Sequence, residues 1–242
     1  MTKASRWHAL YRREQFDPGL IGLLINPFFL ARRQLQLAMR QLAPLLRGRL
    51  LDVGCGTKPY RALFTVDEYL GLDIDSETTR RQGTADVLYD GHAFPFEAGH
   101  FDAVLCNQVL EHVFNPDEFL AEICRVLAPG GKLLLTVPFV WDEHEQPWDY
   151  ARYTSFGLRA ILARHGMVVQ SQHKLLADAS VLFQLLNVYL YKVTRTRWPA
   201  LNLLVNMGLL APVSALGWLT GKLLPANADL YLDQIVVAEK TA

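Results

Sequence analysis

The sequence predicts an α/β domain built on an open, doubly wound and mostly parallel sheet, and three observations carry that prediction. Short apolar, strand-like runs fall at 49–53, 69–72, 101–106 and 132–137. Segments with helical spacing or turn chemistry separate them, and strand–helix alternation favours parallel pairing with both faces covered. The length agrees, since 242 residues suffice for one substantial domain with additions.

Each element has its own signal. Residues 27–47 place Phe28, Leu35, Leu42 and Leu46 at helical spacing, and Gly48 stops that helix. A short strand is expected at 85–88. Asn115 can cap the next helix, with Pro116 in its first turn and Glu118 as a capping-box acid; Ala128-Pro129-Gly130-Gly131 should end it. Thr154 caps a further helix that stops at Gly166, and 167–177 and 230–239 read as the last two strands. About fifty residues separate those two strands, far more than the usual connection of roughly 4–6. Within them, 198–221 contains no charged residue and is long enough to span a bilayer. Asn202, Asn206, Pro212 and Ser214 lower its hydrophobicity, and one crossing would strand the last strand on the wrong side of its own sheet. Three parts follow: an N-terminal helical extension (1–48), a core (49–177 with 230–242) and an apolar helical insertion (178–229). The insertion reads as a site cover, a dimer contact or a peripheral membrane contact.

Composition narrows the function classes. Lysine plus arginine and aspartate plus glutamate number 24 each, so no basic excess points to nucleic acid. Arg80-Arg81 and Arg195 with Arg197 read as solvated surface. Cys55, Cys106 and Cys124 have no paired spacing and read as reduced, buried thiols of a cytoplasmic protein, and the first ten residues carry no apolar signal core.

Three acids then define a ligand. In LLDVGCGT, Asp52 precedes Gly54 and Gly56, whose bare backbone lets N–H groups approach a ligand. The lysine of a phosphate-binding GxxxxGK[ST] loop is absent, and an acid suits an amine better than a phosphate. In YLGLDID, Asp73 ends the second strand at the spacing that lets a carboxylate accept both ribose hydroxyls; Asp75 is a weaker competitor. Asp90, opening DGHAFPFEAGHFD, can take the exocyclic amine of an adenine. An amine, a ribose and an adenine without phosphate describe S-adenosylmethionine.

At these motifs the chain resembles the class I S-adenosylmethionine-dependent methyltransferases, in particular the small-molecule branch with a methyltransferase-11-like core. The likeness runs from Leu50 through Pro138, and more loosely to Gly166 and the last strand. It implies a Rossmann-like sheet with an antiparallel last strand. It also implies Asp52, Gly54, Cys55 and Gly56 around the methionyl part of the cofactor, and Asp73 and Ile74 at the ribose. Asp90 and Gly91 would lie beside adenine, with Asn107 and Gln108 lining the methyl side. FLAEICRVLAPGGKLLLTVP matches the family's following helix and strand. Lys58 stands where the family commonly has a third glycine, and faces either the cofactor's carboxylate or solvent.

A hydroxyl acceptor must lose its proton near the transition state, so a base is expected within reach. His144, in WDEHEQPWDYARYT after the fifth strand, is the first choice, flanked by Glu143 and Glu145; His112, in LEHV, is the other. Tyr150, Arg152 and Tyr153 can hold a small-molecule substrate or pin the loop. No metal is expected, because ligands adjacent on one loop rarely converge and no second histidine–acid cluster is apparent. The leading expectation is O-methylation of a small hydroxylated metabolite or sugar. The alternatives are a methyltransferase of a membrane-resident lipid or quinone, and a cofactor-binding protein without turnover.

Overall fold

The computed structural model describes residues 3–241. Helices α1 (Lys3–Phe16), α2 (Leu20–Ile25) and α3 (Phe29–Leu42) precede strand β1 (Arg49–Val53). Then come β2 (Glu68–Ile74), α4 (Glu77–Gln82), β3 (Val87–Tyr89), β4 (Phe101–Asn107), α5 (Pro116–Val126) and β5 (Leu127–Pro138). The chain continues through α6 (Ser155–Arg164), β6 (Met167–Leu175), α7 (Ser180–Thr194), α8 (Pro199–Val205), α9 (Ala211–Leu223) and β7 (Asp233–Lys240). Two compact units result. One joins the segment through Ala38 to Lys174–Asp233; the other joins Met39–His173 to the segment from Gln234.

The second unit carries the sheet, ordered β3-β2-β1-β4-β5-β7-β6. Strands β1 to β5 pair in parallel. At the other edge Leu232 N–H donates to Leu175 and Thr241 N–H to Gly166, so β7 runs antiparallel to β6. Leu50, Leu51 and Val53 of β1 and Leu133, Leu134, Leu135 and Val137 of β5 are all buried, as expected of strands covered on both faces. Helix α5 buries Phe119, Leu120, Ile123 and Val126, one stripe at helical spacing, each worth about 1.5–3 kcal/mol.

Register fixes the site. Val53 stands beside Leu72 and Cys106, and Cys106 beside Leu135. The next residues of those strands, Gly54, Asp73, Asn107 and Thr136, therefore share one rim at the carboxyl ends. Tyr89 of β3 stands beside Ile74, which brings Asp90 to the same rim.

Several local expectations need correction. Asn115 occupies the N-cap of α5, but its side chain accepts no capping hydrogen bond, so the capping box with Glu118 does not form. Ala128-Pro129-Gly130-Gly131 does not follow the helix as a loop: α5 ends at Val126 and these residues already belong to β5, which meets β4 at a register shift near Phe101. Strand β3 is set one to two residues later than 85–88. Thr154 does cap α6, accepting from Gly157 N–H at 3.0 Å, a contact worth about 1 kcal/mol.

In the helical unit, Pro199–Leu223 runs continuously through α8, a π-helical turn at Asn206–Leu210, and α9. Asn187 of α7 donates to Leu210 C=O and to the Ser214 hydroxyl, and Gln184 donates to Pro27 C=O. Gly217 lets α7 and α9 close up, since a Cβ there would stand 2.6 Å from Phe183 Cβ.

Candidate active site

The loop after β1 is shaped by positive backbone φ. Gly54 (φ 66°) donates to Leu72 C=O at 2.8 Å, and a Cβ there would lie 2.5 Å from Val109 Cγ2, so packing requires the glycine. Gly56 (φ 48°) differs: a Cβ would meet nothing within 4 Å, leaving an open approach to backbone. Lys58 also adopts φ 52°, so the loop keeps a left-handed turn without a third glycine. Its ammonium neither reaches into the cofactor space nor points to solvent. It crosses over Gly71 and pairs with Asp86 at 2.5 Å.

Two acids face this loop. Asp73 accepts from Gly56 N–H at 2.9 Å and from Ile74 N–H at 2.8 Å, tying the loop to the end of β2. Asp75 is engaged by the Arg80 guanidinium and held below the usual carboxylate range by that hydrogen bond, which leaves the rim to Asp73. Asp52 is buried and accepts from the Tyr69 hydroxyl. Burial pushes its carboxyl up to about 7, against the pull of Tyr69 and Lys58. Burial and the neighbouring Asp52 and Asp73 likewise push the Cys55 thiol up to about 12. A pocket wall with this acid pair disfavours further negative charge and favours a cation. Asp90 accepts from His92 N–H, and a Cβ on Gly91 would lie 3.4 Å from Ile74 Cδ1, so these residues share one corner. Asn107 accepts from the Thr136 hydroxyl, which in turn accepts from Gln108 N–H. The donor set therefore fits S-adenosylmethionine: carboxylates for amine and ribose, open backbone at Gly56, and no phosphate cradle.

Beyond β4 and β5 the two histidines meet, with ring centroids 4.7 Å apart and planes at 77°. His112 Nδ1 lies 2.7 Å from Trp148 C=O. His144 Nδ1 lies 3.2 Å from Asp149 Oδ2, and its backbone N–H donates to the same oxygen. The Arg152 guanidinium forks onto Asp149 at 2.6 and 2.7 Å and holds that carboxyl well below the usual range. Glu143 and Glu145 are exposed, so the carboxylate at His144 is Asp149. Arg152 pins the loop through Asp149 and Asp142 C=O. Tyr150 is exposed against Phe114, while Tyr153 packs on the core and its hydroxyl is pushed up to about 12 by burial. Glu111, His112 and His144 also bring one donor atom each within 4.8 Å of one another. The second histidine–acid cluster not apparent in the sequence is thus supplied by the fold.

Residues 51–135 match the family described as a methyltransferase domain. This segment is a methyltransferase domain. Similar curated proteins include ubiquinone biosynthesis O-methyltransferase of Caulobacter sp. strain K31, 34% identical over 99 residues, covering 36% of this chain and 39% of that one. Another is fatty-acid O-methyltransferase of Mycolicibacterium smegmatis, 39% identical over 100 residues and 36% of each chain. The chain spans less than half the length of these relatives. Among solved structures, an S-adenosylmethionine-dependent methyltransferase from Mesorhizobium loti aligns with TM-score 0.53 at 15% identity, over 87% of this chain and all of that one. The [4+2]-cyclase SpnF aligns with TM-score 0.53 at 21% identity, over 93% and 95%. Both likenesses show the fold.

Within the methyltransferase domain and the loop that follows it, four supporting residues are not announced by the sequence. Asp86 accepts from Gly71 N–H and from Lys58, and no local pattern announces it. Asp149 was visible only as the i,i+3 partner of Arg152. Glu122 and Arg125, also at i,i+3, clamp the segment after Asp90: Glu122 accepts from Phe94 N–H, and Arg125 donates to the Phe94 and Phe96 carbonyls.

Proposed function

We propose that the chain is an S-adenosylmethionine-dependent methyltransferase that methylates an oxygen of a small hydroxylated metabolite or sugar. When bound, the cofactor supplies the methyl group on a sulfonium. Asp52 holds the methionyl amine, the 54–56 backbone carries the methionyl chain, and Asp73 with Ile74 holds the ribose. Asp90 and Gly91 flank the adenine, and Asn107 and Gln108 line the methyl side. Alignment of acceptor and methyl supplies most of the acceleration, up to about 7–11 kcal/mol in favourable cases.

The observation that carries the acceptor chemistry is the Arg152–Asp149–His144 chain beside the carboxyl ends of β4 and β5. At Nδ1 the Asp142 C=O at 3.2 Å and the Asp149 carboxylate together orient the imidazole and leave Nε2 to take a proton from the acceptor hydroxyl, with His112 against its face. Glu143, Glu145 and Tyr150, all exposed on this loop, are the groups offered to acceptor hydroxyls, while Arg152 and Tyr153 hold the loop in place.

The test is calorimetry with S-adenosylmethionine and with its demethylated product, followed by transfer of labelled methyl to hydroxylated acceptors. Saturable heat with both ligands is expected, with transfer to oxygen. No heat with either would end this reading.

A further inference from the structure

We propose that the helical unit formed by the N-terminal helices and Lys174–Asp233 docks on an anionic lipid bilayer, lying in the interface without crossing it. On the methyl-transfer reading, this brings the enzyme to hydroxylated acceptors resident in the membrane. Pro199–Leu223 is a 25-residue helical stretch whose most apolar 18-residue window has mean hydropathy 1.6, yet only 22% of that window is buried. Leu204 is 66% exposed and Leu223 71%, and Leu182, Tyr189 and Val193 of α7 add to the exposed apolar surface. Helix α2, which packs against α9, exposes Leu20 at 88%. A face this apolar and this extended marks a partner or a membrane.

Charge selects the occupant. From Ala179 through Ala228 the chain has no aspartate or glutamate, whereas Lys192, Arg195, Arg197 and Lys222 are all basic. Arg197 lies over the Trp198 ring and Lys222 over the Trp218 ring, the pairing of aromatic and cation suited to the headgroup level. A second copy would bring two like-charged faces together, whereas an anionic surface complements them. The same unit holds a cleft of about 590 Å³ with Arg32 and Arg195 among its lining residues, beside Phe28 and Tyr191.

Topology excludes a crossing. Leu232 N–H donates to Leu175 C=O at 3.0 Å, so the segment leaves and returns at one point. A return pass would fall to α7, whose 15 residues reach about 22 Å against a hydrocarbon core of about 30 Å. An apolar helix pair lying in the interface satisfies both constraints.

Flotation of the full chain tests the proposal, using vesicles of phosphatidylcholine alone or mixed with phosphatidylglycerol. The wild-type chain is expected to float with the mixed vesicles and to be released by high salt. Arg195→Ala with Arg197→Ala should weaken partition roughly 30-fold, taking about a fivefold loss per charge. Leu204→Glu with Leu223→Glu should abolish flotation while circular dichroism stays unchanged, both side chains facing outward. Absence of flotation with either vesicle overturns the proposal. So does flotation indifferent to lipid charge, or a sedimenting dimer that Leu204→Glu with Leu223→Glu dissociates. Cofactor calorimetry on the same preparation separates the claims. Binding without flotation removes only the docking, whereas flotation without binding removes only the methyl-transfer reading.

Discussion

Asp52→Asn should make this protein more stable at neutral and alkaline pH while damaging its ligand site. The carboxyl is 4% exposed, and burial raises it from 3.8 to about 7. A carboxyl raised on folding favours the protonated form. Its stabilising contribution is therefore complete below about pH 4, falls as pH climbs toward 7, and is absent above. About three pH units at 1.36 kcal/mol each give a penalty of about 4 kcal/mol above pH 7. Asparagine can still accept from Tyr69 but has no charge to desolvate. Urea unfolding of both proteins at pH 4, 6 and 8 checks this. The stability difference, variant minus wild type, should rise by about 4 kcal/mol between pH 4 and 8, whatever its offset at pH 4. A difference that stays constant across that range would refute the burial argument. The same buried charge favours a cationic ligand, so wild-type cofactor affinity should fall as pH drops below 7, by up to about tenfold per unit. The variant should bind weakly at every pH.

Other perturbations separate fold from chemistry. Gly54→Ala, clashing with Val109 at φ 66°, should lose about 2–4 kcal/mol in urea unfolding. Gly56→Ala should lose only about 1–2 kcal/mol, yet weaken cofactor binding by more than about tenfold in calorimetry, since its Cβ enters open space at the ligand. Asp73→Ala should reduce cofactor affinity roughly 10–100-fold with the far-ultraviolet spectrum retained; unchanged affinity would remove Asp73 from the ribose. His144→Ala should slow methyl transfer by about 10²–10⁴ with cofactor affinity intact, and Asp149→Asn should slow it through the same imidazole. Dialysis against EDTA should leave turnover unchanged, because the base is an imidazole. A loss restored by a divalent ion would reassign Glu111, His112 and His144 as metal ligands.

The sequence alone determined the alternation that builds the parallel sheet and the three acids placed at strand ends. Both are local: periodicity reports burial, and a strand end followed by glycine or an acid reports a rim. Asp52, Asp73 and Asp90 stood out because each lies at or near the carboxyl end of its own strand, Asp52 and Asp73 as the next-to-last residues of β1 and β2 and Asp90 just after β3. Only the tertiary structure decided what those acids touch. Tyr69 reaches Asp52, Lys58 turns to Asp86, and Asp149 displaces Glu143 and Glu145 as the partner of His144. These pairings join residues on different strands or across a folded loop, and linear spacing carries no distance between them. His112 and His144 stand 32 positions apart in sequence, yet β4 and β5 pair side by side and bring their following loops together. The apolar run before the last strand was legible as composition. That most of it faces outward, and that it returns to its starting point, follows from hydrogen bonds and packing that only the folded chain contains.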